Sequence, residues 1–252
     1  MLRWCNSNRL LTVVLSLLLA APIQAGGETL SAQKPLDTRA SPSLKPFKAY
    51  YQAQFDLGIS FSGEAIRELK ALDNDQWLLS MNANTMMANI EESSRFEMRQ
   101  EQLRPLQYDY KRKVFAKKKS SQQRFDWSSG TVLSTAKGRS TTLQIDQQTH
   151  DKVSYQVQLW NDLKSGLNQM HYTLADGNRL KALVFNRVAE ETVTTPAGRF
   201  ETIKVVRDRG AGSARTTTLW FAKDLDHVIV KLEQIETDGK QYILLLQRLE
   251  TP

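Results

Sequence analysis

From Phe47 onward the chain alternates apolar and polar residues with a period of two, the pattern of strands that bury one face. Tyr51, Ala53, Phe55 and Leu57 alternate with Gln52, Gln54 and Asp56. Ile59, Phe61 and Gly63 lead into a second strand over residues 64–70, and Asp73-Asn74-Asp75 marks a turn. Trp77, Leu79 and Met81 resume the alternation toward Asn84. The same reading predicts strands over 91–100, 106–115, 121–127, 131–135 and 141–145. Arg104-Pro105, Ser128-Ser129-Gly130 and Lys137-Gly138-Arg139 are the turns between most of them. Further strands are expected over 169–174, 180–193, 200–207, 216–222, 227–235 and 242–249.

One segment, residues 150–167, competes as a helix. Val153, Val157, Trp160 and Leu167 fall on a single helical stripe, while Val153, Tyr155, Val157 and Leu159 also alternate as a strand would. The helix reading is preferred over about 151–165, because a strand cannot put Trp160 and Leu163 on one face. Asp176-Gly177 and Asp238-Gly239 stand between alternating runs and suit two-residue hairpin turns with positive φ. Thr195-Pro196-Ala197-Gly198 adds another turn. Closely spaced strands, one helix and no βαβ alternation make the expected fold mainly β: a single curved antiparallel sheet or open β-barrel with one helix.

Ahead of this domain, at 47–250, lie two segments of different character. Residues 1–25 carry Arg3 and Arg9, an apolar run from Leu10 to Ala21, then Pro22 and Ile23-Gln24-Ala25 before Gly26-Gly27. That is the layout of a cleaved secretory signal, and its apolar run is too short to span a bilayer. Residues 26–46 are polar, carry Pro35, Pro42 and Pro46, and read as a flexible lead-in.

Export changes what the composition means. The one cysteine, Cys5, sits inside the leader, so the exported chain has no thiol and no disulfide. Removing the 25-residue leader from 252 residues leaves 227, with 32 Lys and Arg against 27 Asp and Glu. The mild basic excess favours anionic envelope partners, and no recognition helix or aromatic-plus-basic motif points to nucleic acid.

Motifs for catalysis or metal binding are weak. His150, His171 and His227 have no ligand spacing, and no Gly-x-Ser-x-Gly elbow occurs. No catalytic residue, metal site or cofactor is therefore expected. Asp224-Leu225-Asp226-His227 reads as a turn. Arg209-Gly210-Ala211-Gly212-Ser213-Ala214-Arg215 is either a mobile hairpin loop or a backbone nest for an anion.

Two clusters are candidates for binding. Trp77, Met81, Met86, Met87, Phe96 and Met98 gather in neighbouring strands, where they either line an acyl-chain cavity or pack an ordinary core. Lys111, Arg112, Lys113, Lys117, Lys118 and Lys119 lie near Tyr108, Tyr110 and Phe115. They mark either a footprint for anionic lipid or an edge strand protected from aggregation.

The C-terminal third carries Glu190-Glu191-Thr192-Val193-Thr194-Thr195-Pro196-Ala197-Gly198-Arg199-Phe200, then Thr218-Leu219-Trp220-Phe221-Ala222-Lys223-Asp224-Leu225, then Glu236-Thr237-Asp238-Gly239. With Tyr50 to Gly63 and Trp160-Asn161-Asp162-Leu163, these resemble the exported bacterial proteins grouped as domain of unknown function 3108. The resemblance spans roughly 47–249 and implies a β-rich exported fold, without catalytic residues. The expected function is a periplasmic protein that binds a lipid or amphipathic envelope ligand, with peripheral membrane contact. A packed structural or partner-binding factor for envelope assembly is the alternative, and a hydrolase the remotest reading.

Overall fold

The computed structural model describes residues 44–56, 60–86, 88–99, 102–226 and 228–252. Its strands β1 (Phe47–Asp56), β2 (Ser60–Ala71), β3 (Gln76–Asn84), β4 (Ala88–Arg99), β5 (Gln102–Val114), β6 (Lys117–Asp126), β7 (Thr131–Ala136) and β8 (Arg139–Gln144) form an antiparallel meander. A short β9 (Thr149–His150) and the helix α1 (Ser154–Lys164) follow. The chain then returns through β10 (Gln169–Asp176), β11 (Arg179–Thr195), β12 (Gly198–Asp208), β13 (Thr216–Ala222), β14 (Ile229–Ile235) and β15 (Gln241–Glu250). β15 pairs with β1, which joins both runs into one 15-stranded sheet with β8 and β9 at its edges. β9 pairs with β10 in parallel; the other pairings are antiparallel.

A sheet this wide with native twist curls rather than lying flat. Its two ends approach through side chains: Gln123 Nε2 on β6 donates to the Ala175 carbonyl on β10 at 2.9 Å. Phe125, Val132 and Ala175 form a small apolar cluster there. The result is one open, curved sheet, as the alternation predicts.

Helix α1 fills the enclosed face. Trp160 meets Phe47 of β1 edge-on at 5.9 Å. Arg67 of β2 donates to Gln156 Oε1 at 2.6 Å, and the Leu103 N–H of β5 to Gln158 Oε1 at 2.9 Å. Tyr155 stacks on Phe185 of β11 at 5.5 Å. A single helix touches both halves of the sheet, so Val157, Leu159, Trp160 and Leu163 are all buried around its circumference. They join Leu69, Leu79, Phe96, Leu103, Leu219 and Leu246 in the main core. Burying each such side chain stabilises the fold by about 1.5–3 kcal/mol.

The helix starts where Asp151 turns its carboxylate onto the backbone. Its Oδ1 accepts the N–H groups of Val153 at 2.7 Å and Ser154 at 2.8 Å, and the Ser154 hydroxyl accepts the Asp151 N–H at 2.9 Å. This reciprocal pairing satisfies donors that a helix start leaves free.

Several expectations are corrected. Leu167 lies beyond α1 and is exposed, because the helix ends at Lys164 and Gly166 takes φ +83°. Arg104 and Pro105 belong to β5 and form no turn; Pro105 faces Phe96 where the β4–β5 register shifts, a bulge that tolerates its missing N–H. Asp238-Gly239 is not a two-residue turn. Glu236 and Lys240 pair through a 2.8 Å backbone bond, leaving a loop of Thr237, Asp238 and Gly239 with Gly239 at φ +82°. Leu44, placed in the lead-in by sequence, is buried in the main core. The signal at 1–25, the lead-in up to residue 43, and Leu57, Ile59, Met87, Gln100 and His227 lie outside the described residues.

Candidate functional site

Antiparallel neighbours bring alternate connections to the same end of a sheet. The β1–β2, β3–β4, β5–β6, β7–β8, β10–β11, β12–β13 and β14–β15 connections thus share one end, the tip end. Here the basic run sits astride the β5–β6 hairpin. Register pairs Arg112 with Lys119, Lys113 with Lys118, and Val114 with Lys117, so Phe115 and Ala116 form the turn. Alternation sends Arg112, Lys117 and Lys119 to the helix-side face and Lys111, Lys113 and Lys118 to the other; all six are exposed.

Like charges directly opposite one another destabilise a ladder. This hairpin holds two such cross-strand pairs, and a bound anion would relieve them. β5 and β6 are interior strands of the sheet, not edges, which removes protection against edge pairing as the reason for the lysines.

Phe115 at the turn is 68% exposed and has φ +51°, where bulky residues are uncommon. Met86, on the neighbouring β3–β4 connection, is fully exposed. Met86, Phe115 and Lys113 share the walls of a cleft of about 320 Å³ with Asn84, Thr85, Ala88 and Asn89. Two large apolar side chains thus stand out into solvent from adjacent hairpins, with Lys113 in the same cleft wall and the rest of the basic run flanking the Phe115 turn.

The remaining methionine-aromatic residues sit elsewhere. Trp77 pairs with Phe96 and Met98 with Leu103 on the helix-side face, and Met81 lies in the same phase. Phe96 is wholly buried, and Trp77, Met81 and Met98 pack against the main core. Met86 does not join them: it follows the end of β3, so the alternation that turns Met81 inward no longer governs it. The cluster read from the sequence is split between core and tip.

Sequence reasoning missed a polar belt across the enclosed face. One row runs Ala49, Arg67, Met81, Glu92, Tyr110 from β1 to β5. Tyr108 donates to Glu92 Oε1 at 2.5 Å. Burial pushes the Glu92 carboxyl up, with the Tyr108 bond and the Lys152 and Arg67 charges opposing the rise. Ser94 donates to Asp151 Oδ2 at 2.6 Å. Burial raises Asp151 to about 6 against those hydrogen bonds. His150 beside it is held down at about 4 by burial and packs edge-on against Tyr172. The Ser94–Asp151 pair is a helix cap with a wholly buried hydroxyl, not a nucleophile and base facing a substrate. Among the described residues no three His, Cys, Asp or Glu side chains group as metal ligands. A signal for the belt existed: Arg67 is in phase with Ala65 and Leu69, and Glu92 with Ser94 and Phe96.

The resemblance motifs prove to be structural. Tyr172 and Gln158 donate to Asp162 at 2.5 and 2.9 Å, which locks α1 against β10. The Ala197 N–H of the Thr195–Gly198 turn donates to the Leu246 carbonyl at 3.0 Å. Trp220 is buried, donates to Glu191 at 2.6 Å and lies under the Lys231 ammonium at 4.3 Å.

One solved structure, described as β-barrel-like, shares this fold. The model of the family described as protein of unknown function (DUF3108) matches residues 47–245. A β-barrel-like protein of domain of unknown function DUF1849 from Brucella abortus aligns with TM-score 0.57 and 10% identity, covering 83% of this chain and 98% of its own. A Bacteroides fragilis protein with a YmcC-like fold aligns over 83% of this chain and 98% of its own at 11% identity, with a TM-score of only 0.32. No curated protein matches.

Proposed function

The chain belongs to the DUF3108 family, and from that premise we propose that it is an exported periplasmic protein that binds anionic amphipathic lipid at a membrane surface, through its tip end. The observation that carries this reading is the exposure of Met86 and Phe115 on adjacent hairpins, beside the basic run of Lys111, Arg112, Lys113, Lys117, Lys118 and Lys119 that flanks the Phe115 turn. Apolar side chains that enter the acyl boundary, with cations at headgroup level, are the physical requirements of interfacial binding. Export itself rests on the leader at 1–25.

The site differs from an acyl tail buried among Trp77, Met81, Phe96 and Met98. Those side chains are committed to the core behind α1. The apolar part of the ligand meets the protein at the tip instead, and the domain stays closed around its helix. That closed interior also supports the second reading, a packed factor whose tip end docks a protein partner.

The test is flotation of the exported chain with vesicles of phosphatidylglycerol or of phosphatidylcholine. Binding is expected for the anionic vesicles only and should fall as salt rises. Each surface lysine contributes about 1 kcal/mol near such a membrane. Replacing Lys117, Lys118 and Lys119 with glutamine should therefore weaken binding about a hundredfold. Phe115→Ser should weaken it at every salt concentration. Absence of binding to phosphatidylglycerol at low salt would transfer the tip to the partner-docking reading.

A further inference from the structure

A second cationic group stands apart from the lysine hairpin, on the opposite half of the sheet. β12 pairs Arg207 with Phe185 of β11, and Phe185 is wholly buried and stacked on Tyr155 of α1. Arg207 therefore faces the enclosed side, and Arg209, just past the end of β12, reaches Thr217 of β13, which is in phase with the buried Leu219. The β12–β13 loop carries Gly210 at φ +79° and Gly212 at φ +87°, conformations that glycine adopts freely. It returns the chain at Arg215, so the loop carries arginine at each end.

The polar contacts of this group are few. Arg209 Nη2 donates to Thr217 Oγ1 at 3.0 Å. Arg215 Nη2 lies 3.0 Å from Glu236 Oε1. Arg207 and Arg209 have no carboxylate within ion-pair distance among the described residues, and Nε of all three arginines is buried without a hydrogen-bond acceptor. Buried guanidinium N–H groups without acceptors cost free energy, because water no longer solvates them. Like charges held together add to that cost. Burial, then the charges of Arg207 and Arg215, bring Arg209 down to about 10. Arg207 is lowered by burial as well, with Arg215 adding to the effect.

Of the backbone nest considered from sequence, the Gly210 N–H is already taken by Asp208 Oδ1 at 2.8 Å, and the arginine side chains supply the donors without acceptors. Three guanidinium forks, one already balanced by Glu236, leave two charges for a compact dianion that accepts several bidentate bonds.

We infer that Arg207, Arg209 and Arg215 form a receptor site for a phosphate group, separate from the lysine hairpin. It supplies the missing acceptors to the three Nε atoms and relieves the repulsion within the cluster. The phosphate belongs either to a free phosphate compound or to a lipid headgroup that reaches over the rim.

The experiment uses the exported chain and inorganic phosphate at constant ionic strength, with binding read by calorimetry and by melting temperature against sodium chloride. Phosphate should bind and raise the melting temperature, whereas chloride should not. Arg207→Gln and Arg209→Gln should each weaken phosphate binding about tenfold or more. Neither should lower the melting temperature without phosphate, since each removes a repelled charge, and this reading guards against a simple folding defect. The glutamine variant of Lys117, Lys118 and Lys119 should bind phosphate like the parent, so the site stands or falls independently of the membrane reading. Competition by phosphatidic acid vesicles would identify a headgroup as the source, and phosphate binding without that competition a soluble compound. Phosphate that stabilises no more than chloride, or affinity that survives both arginine substitutions, would overturn the site.

Discussion

Asp151 and His150 are neighbours in sequence, and burial moves their protonation in opposite directions. An aspartate ordinarily ionises near 3.9, and here it holds its proton to about 6. The folded state binds that proton more tightly than the unfolded chain. Asp151 thus contributes stability that is present below pH 4 and lost as pH rises to about 6. His150, held down at about 4 against an ordinary 6.5, contributes stability that is lost as pH falls through that window. Each effect is on the order of 3 kcal/mol, and between pH 4 and 6 the two oppose one another. In Asp151→Asn the amide oxygen still caps Val153 and Ser154, but the ionisation is gone. Urea denaturation from pH 4 to 7 should show this variant losing stability on acidification more steeply than the parent. Parallel profiles would mean that Asp151 is not titrating from a buried state. None of this was legible in the sequence, where Asp151 is an ordinary polar residue before a helix. Its burial comes from the return of β4 over the helix start, a contact between Ser94 and Asp151 that no local pattern encodes.

Elements were far more legible than sites, because alternation and turn residues are local. β3, β7 and β13 fall where the pattern places them, and α1 lies within its predicted span. The failures have local physical causes. Pro105 reads as a breaker, yet a bulge accommodates it, and Met86 shares a motif with Met81 but falls past the end of the alternation. Two substitutions test what the elements contribute. Trp160 is buried on α1 with its indole edge-on to Phe47, so Trp160→Ala should cost about 3–5 kcal/mol in denaturant titrations. A cost below about 1 kcal/mol would mean that the helix does not fill the sheet as described. Gly239 closes the β14–β15 loop at φ +82° with open space around it, so strain rather than collision decides a substitution there. Gly239→Val should lower stability by roughly 1 kcal/mol or more, and an unchanged melting temperature would contradict a fixed turn.

At the scale of the whole molecule, one helix closes the sheet from within, and the proposed binding surface lies at the rim. The tip end gathers the lysine hairpin, the exposed Met86 and Phe115, and the arginine loop. The basic run was legible in the sequence as six cations, but their two-faced arrangement around an apolar turn needed the register of β5 on β6. Past residue 25 the sequence has no cysteine, so a single introduced thiol in the domain is a clean probe. Met86→Cys, labelled with an environment-sensitive dye, reports directly whether the tip enters a bilayer. Val188→Cys, on the exposed middle of β11, is the control. With phosphatidylglycerol vesicles at low salt, the dye at position 86 should shift to the blue and the dye at 188 should not, and salt should reverse the shift. A silent dye at 86, or an equal shift at 188, would contradict membrane binding through the tip end.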